Sequence, residues 1–147
     1  GLAGSDGTTC YRLVHGEGDS LPGLVVDIYG STAVVQCHSA GMYCSREEIS
    51  AAIRAVYGEA ITAIYDKSSQ TVPFNAGLDA RDGYLWKAEE EKAVKYKKEV
   101  LENGFRFHVN WEKGQKTGFF IDQRENRELV RNYARGRSVL NTFCYTG

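Results

Sequence analysis

The sequence predicts a mixed α/β (α+β) chain. A small strand–strand–strand–helix–strand domain comes first, then a β-hairpin, a helix and the opening strand of a parallel-sheet domain. Three observations predict this. Short runs rich in β-branched and aromatic residues, split by Gly and Ser, fill residues 11–37. An apolar stripe at helical spacing occupies residues 45–58, with stop and start signals at its ends. Asn103-Gly104 lies between two alternating runs, the strongest short-range hairpin signal.

Tyr11–His15 reads as the first strand, followed by a turn-rich stretch from Gly16 to Gly23. Leu24–Tyr29 and Thr32–Cys37 are the second and third strands, separated by Gly30-Ser31, and the three suit an antiparallel meander. Ser45 reads as an N-cap with Glu48 completing a capping box. Ile49, Ala52, Ile53, Val56 and Tyr57 follow as one apolar stripe, and Gly58 ends the helix. Ile61–Asp66 reads as a strand beside them, and one helix over one sheet face is a stable layer arrangement. Residues 67–98 are irregular, punctuated by Pro73, Gly77 and Gly83, and close in the mixed-charge run 89–98. A domain boundary is expected here, dividing the chain into residues 1–90 and 91–147. Beyond the hairpin, Gly114 and Gly118 bound a loop, and a helix over 122–134 starts with Asp122 as N-cap and Glu125 as its partner. Ser138–Cys144 reads as a strand running into Tyr145-Thr146-Gly147, the opening of a βαβ unit whose remainder is expected outside this chain.

Composition narrows the class. The chain has 147 residues, 42% hydrophobic and 25% charged, with a net charge of −1, which fits a globular protein and excludes disorder, collagen-like repeats and coiled coils. No apolar run approaches the ~18–20 residues of a membrane span, and residues 1–10 lack a signal peptide's pattern, so a cytoplasmic protein is expected. The missing initiator Met suggests an excised piece of a longer protein. The near-zero charge hides an asymmetry: residues 1–103 hold 10 basic and 15 acidic side chains, and residues 104–147 hold 8 and 4. Cys10, Cys37, Cys44 and Cys144 form no CxxC pair, and the three histidines lack zinc-finger spacing. Reduced, partly buried cysteines are the better reading than a metal set of Cys37, Cys44 and His38, so no metal is expected.

Three segments carry candidate chemistry. Gly114-Gln-Lys-Thr-Gly118 fails the phosphate-loop pattern because Gln115 stands where Gly must precede Lys-Thr. Arg124 and Arg127 stand at i and i+3 near a helix start, where cations oppose the dipole. Recognition of a phosphate or carboxylate would offset that cost, while a surface salt-bridge set with Asp122, Glu125 and Glu128 is an equal alternative. Residues 139–147 have the shape of a strand entering a glycine turn at a parallel-sheet edge, where nucleotide-like ligands bind; taken alone, a structural strand and turn is the default.

Together, residues 12–30 (RLVHGEGDSLPGLVVDIYG), 102–110 (ENGFRFHVN), 113–127 (KGQKTGFFIDQRENR) and 139–147 (VLNTFCYTG) resemble one family closely. It is the bacterial class I S-adenosylmethionine-dependent methyltransferases that make 5-methylcytosine in large-subunit (23S) ribosomal RNA. Their architecture is a PUA domain, a central domain and a Rossmann-like methyltransferase domain. The resemblance covers the central domain and the start of the catalytic one. It implies S-adenosyl-L-methionine as cofactor and ribosomal RNA as partner. Phe143, Tyr145, Thr146 and Gly147 would border the cofactor's methionine and ribose. Thr117, Gly118, Phe120, Gln123, Arg124 and Arg127 would help close the site. Cytosine C5 needs a thiolate added at C6 before it attacks a methyl group. The family's catalytic cysteines would lie beyond Gly147, and Cys144 belongs to the cofactor motif, so this stretch alone is expected to be inactive.

Two further readings stand beside it. The basic segment 104–147, with Phe105, Phe107, Trp111, Phe119 and Phe120, suits a non-catalytic RNA-binding or assembly module. An exposed edge at strand 138–144 suits a homodimer.

Overall fold

The computed structural model describes residues 7–89 and 98–142. Three strands open the chain: β1 (Cys10–His15), β2 (Leu24–Tyr29) and β3 (Thr32–Cys37). They form the expected antiparallel meander, with Val26 opposite Val35 and Leu24 opposite Cys37. Helices α1 (Ala40–Cys44) and α2 (Arg46–Tyr57) then cross over the sheet, so β4 (Ala63–Asp66) lies parallel to β3. The fifth strand, β5 (Gly83–Lys87), completes a sheet of order β1-β2-β3-β4-β5. It falls inside the stretch read from sequence as irregular.

Alternation divides the sheet into two faces. Leu24, Val26, Ile28, Ala33, Val35, Cys37 and Ile64 meet Tyr43, Ile53 and Ile61 in one apolar cluster beneath α2. The α2 stripe is narrower than its sequence pattern. Ile53 is buried, but Val56 is 80% exposed, and Ser50 is buried in its place. Packing of Ile49, Ile53 and Tyr57 rotates the helix so that the edge of the stripe faces water.

The opposite face presents Cys10, Tyr29, Val34 and Tyr65, and the chain's second part covers it. Hairpin β6 (Glu99–Glu102) and β7 (Phe105–His108) closes through Asn103 and Gly104, both at positive φ (50° and 80°) as the turn demands. It is tied to the segment before β1 by Thr9 N–H to Leu101 O (2.8 Å) and Gly104 N–H to Gly7 O (2.8 Å). A loop over 109–120 then buries Val109, Trp111 and Phe119 against the sheet. Helix α3 (Arg124–Ala134) follows a 3-10 turn at Ile121–Gln123.

Both expected N-caps are corrected. Ser45 makes no side-chain cap bond, because it already ends α1 with φ −92° and ψ 11°; Ser39 caps α1 instead, accepting from Met42 N–H at 3.3 Å. Asp122 sits in the 3-10 turn and takes Lys116 Nζ at 3.0 Å, and no side-chain cap closes α3. Residues 138–142 of the expected last strand are exposed and pair with no strand among the described residues. A parallel-type strand needs flanking strands to satisfy its ladder. The mixed-charge run at 90–97 and residues 143–147 lie outside the described residues. No described helix is long and apolar enough to cross a membrane.

Candidate functional site

The site is built on two buried carboxylates that the sequence pattern did not mark. Asp27 on β2 is fully buried and receives Arg12 as a two-pronged pair, Nε to Oδ1 at 2.8 Å and Nη2 to Oδ2 at 3.0 Å. Thr117 donates its one hydroxyl proton to Asp27 Oδ2 at 2.5 Å. The Tyr29 phenol, 2.7 Å from Thr117 Oγ1, must therefore donate to it. Burial, with Asp27 beside it, pushes that phenol well above its usual range. Tyr29 also stacks on Trp111, with ring centroids 6.4 Å apart.

The 109–120 loop has little regular structure, so its carbonyls need named partners. Lys67 donates to Trp111 O at 2.5 Å and to Gly114 O, and Gln36 Nε2 reaches Lys116 O at 3.3 Å. Burial lowers the Lys67 ammonium's pKa. Gly118 has φ 126°, and a Cβ there would stand 2.7 Å from Trp111 Cα. Only glycine fits that approach.

The second carboxylate, Glu102 at the end of β6, is 2% exposed and collects both site arginines. Arg127 Nε and Nη2 lie 2.6 and 2.7 Å from its two oxygens, and Arg124 Nε lies 3.3 Å away. Arg124 Nη2 also donates to Cys10 O on β1. The Arg127 guanidinium stacks 4.4 Å from the Phe119 ring centre. The salt-bridge set expected with Asp122, Glu125 and Glu128 is therefore corrected for these two arginines: tertiary packing brings Glu102 within reach from 22 and 25 residues away.

Two guanidiniums on one carboxylate leave a surplus positive charge in the wall of a cleft of about 800 Å³ between the hairpin and α3. Phe120, Gln123, Arg124 and Arg127, four of the residues singled out from sequence, line it together. Thr117 and Gly118 do not; they are buried within the loop and hold it in place. Phe143, Tyr145, Thr146 and Gly147 lie outside the described residues. Trp111 and Phe119, expected among the RNA-stacking aromatics, are core residues at 1% and 2% exposure, whereas Phe105 at the hairpin tip is 44% exposed. Glu102 and Asp27 were missed because nothing local marks a buried carboxylate whose partners come from distant segments. Among the described residues, no group of His, Cys, Asp and Glu is arranged to hold a metal ion. Cys37 is buried, and Cys44 is exposed.

The family model of S-adenosylmethionine-dependent methyltransferases matches residues 11–147. Ribosomal RNA large subunit methyltransferase I of Yersinia pseudotuberculosis serotype O:1b (strain IP 31758) is 41% identical over 146 residues, which is 99% of this chain and 35% of that protein. The protein of the same name from Yersinia pestis matches equally. The chain thus spans about a third of the length of these relatives. Among solved structures, a Streptococcus mutans protein assigned to the SAM-dependent methyltransferases superposes with TM-score 0.69 at 31% identity, over 90% of this chain and 31% of that one. SMU.776, assigned as a methyltransferase and solved in complex with SAH, gives 0.68 at 32% identity, over 88% of this chain and 30% of that one. The chain belongs to the S-adenosylmethionine-dependent methyltransferase family.

Proposed function

We propose that this chain is the cofactor-entrance part of a methyltransferase that modifies cytosine C5 in large-subunit ribosomal RNA, in the cytoplasm. The observation that carries it is the convergence of Phe120, Gln123, Arg124 and Arg127 on one cleft around Glu102. The cleft's chemistry fits S-adenosylmethionine, whose carboxylate suits the surplus guanidinium charge and whose apolar groups suit the Phe120 ring. When bound, that cofactor supplies a methyl group on a sulfonium.

In this reading Arg124 and Arg127 orient the cofactor, and Glu102 holds the two guanidiniums fixed. Thr117 and Gly118 act one step behind, setting the path of the chain into Phe120. Phe143, Tyr145, Thr146 and Gly147 complete the cofactor border. Residues 1–90 position this entrance, and residues 91–147 begin the catalytic domain. Cytosine C5 chemistry requires a thiolate that adds to C6 and is later eliminated. None of the described cysteines suits that role: burial raises the Cys10 and Cys37 thiols to about 11, and Cys44 lies on α1, away from the cleft. With Cys144 read as part of the cofactor motif, the chain by itself is expected to bind cofactor without methylating.

Calorimetric titration with S-adenosylmethionine tests the cofactor site; Arg127→Gln is expected to weaken binding about tenfold or more, as removal of a charged hydrogen bond does. Mapping 5-methylcytosine in ribosomal RNA after deletion of the gene tests the substrate. Loss of a methyl mark on another base, with every 5-methylcytosine retained, overturns the cytosine assignment. A second reading, an RNA-binding module without catalysis, draws on the exposed arginines of α3; failure to bind S-adenosylmethionine would favour it.

A further inference from the structure

Helix α3 carries Arg124, Arg127 and Arg131 at i, i+3 and i+7, so they share one face, and Arg135 follows four residues further on. The line changes character along its length. Arg124 and Arg127 are committed to Glu102. Arg131 leaves that carboxylate and stacks on Phe105, with its guanidinium carbon 4.6 Å from the ring centre. Its one carboxylate partner among the described residues, Glu128 at 3.2 Å, is 36% exposed and Arg131 itself 54%, so the pair is weak. Arg135 and Arg137 are exposed and make no ion pair among the described residues. Phe105 stays 44% exposed with Arg131 upon it, so the ring keeps open surface beside the cleft. Asn103 and Asn126 add amide groups to the same wall.

We propose that this outer half of the cleft is a binding surface for single-stranded RNA, with phosphates on Arg131, Arg135 and Arg137 and one base stacked on Phe105. The proposal takes its choice of nucleic acid from the RNA-methyltransferase reading; the geometry supplies the rest. Guanidinium forks bind phosphate oxygens in pairs, and an open aromatic ring beside them accepts any base face. Arg131 on α3 and Arg135 at its C-cap are four residues apart, about 6 Å along the axis at 1.5 Å per residue, which suits successive phosphates of an extended strand, and Arg137 extends the line just past the helix end. A duplex keeps its bases stacked inside and cannot offer one to Phe105. An acidic peptide would satisfy the arginines but leave the ring without a partner.

The test is fluorescence anisotropy of a short fluorescein-labelled oligouridylate with this chain, over about 50 to 200 mM salt. Combined Arg131→Gln, Arg135→Gln and Arg137→Gln is expected to weaken binding at least tenfold. The same triple variant should lower the salt slope by about 2, at ~0.7 for each single-strand phosphate that is no longer neutralised. Phe105→Ala is expected to weaken binding about fivefold or more with the salt slope unchanged, as removal of a stacking platform does. Should Arg131→Gln disturb the hairpin, the Arg135→Gln, Arg137→Gln pair alone is expected to lower the slope by about 1.4. Unchanged affinity and slope in these variants overturns the proposal. So does equal affinity for an RNA duplex of the same length, or displacement of the RNA by polyglutamate with no effect of Phe105→Ala. Titration of the unsubstituted chain with S-adenosylmethionine reports on the methyltransferase reading separately, so either can fail without the other.

Discussion

The two faces of the five-stranded sheet are closed by opposite means. Under α2 the packing is mostly apolar: Val26, Val35, Ile53 and Ile64 meet there, and among the described residues one ion pair joins helix to sheet, from Arg46 at the start of α2 to the buried Asp66 at the end of β4 (3.8 Å). The helix has already satisfied its own backbone, so it needs only surface to pack on. On the other face the cover is the 109–120 loop, whose backbone is not self-satisfied. There Asp27, Tyr29, Thr117, Lys67 and Gln36 each hold a specific atom. An apolar face tolerates sliding; a loop hung on named hydrogen bonds does not. The site is built on the second kind of face, and its cleft inherits that fixed geometry.

Substitutions should separate the two. The largest effect is expected from Asp27→Ala, which strands the Arg12 guanidinium and the Thr117 hydroxyl; removing one partner of a buried charged pair costs about 3–5 kcal/mol. Urea unfolding measures it. Next, Thr117→Val keeps volume but leaves Asp27 and Tyr29 short of a bond, at about 1–3 kcal/mol. On the apolar face the size-matched trim Ile53→Val is expected to cost only about 0.5–1.5 kcal/mol. If Ile53→Val proves the more damaging of these two, the contrast between the faces fails.

A smaller pair concerns the helical crossover from β3 to β4. Ser39→Ala removes the bond to Met42 N–H and is expected to cost about 1 kcal/mol, while Ser45→Ala, which removes none, should lie within about 0.5 kcal/mol of zero. Thermal melting of both variants decides between the cap seen here and the one the sequence pattern favours.

The smallest effect is one of pH. The Lys98 ammonium, 2.7 Å from Glu112, holds that carboxyl below its ordinary 4.5, and the Tyr84 hydroxyl assists. A depressed folded-state pKa means the stabilisation is complete above about 4.5 and drains away as pH falls through the folded value. Lys98→Met should therefore flatten the acid limb of the stability profile and leave the alkaline limb unchanged. Urea midpoints taken across the acid range check it.

What was legible in the sequence follows the same division. Strands β2 and β3, the body of α2 and the Asn103-Gly104 turn are written in neighbouring residues, and they fall where alternation, helical spacing and turn chemistry put them. Strand β5 was not legible, because a five-residue run beside Gly83 gives too short an alternation to stand out from its loop. The Ser45 and Asp122 signatures misled because each residue was already engaged, one ending α1 and the other bound to Lys116. At the site, motif resemblance pointed to Phe120, Gln123, Arg124 and Arg127, which do share the cleft. It could not show that Thr117 and Gly118 face inward, since that depends on Asp27 and Trp111, which other segments supply. Glu102, the residue both arginines require, opens the matched stretch 102–110, but nothing in that stretch marks it as a buried carboxylate.

The bond from Arg124 to the Cys10 carbonyl spans 114 positions. Pairings between β1, β2 and β3 close short loops and are therefore fast to form, whereas this one must wait for most of the chain to find its place. The cleft is therefore expected to assemble last, with the sheet complete before α3 docks. Native-state hydrogen exchange should see the reverse of that order, with the α3 amides opening at a lower free energy than those of β2 and β3.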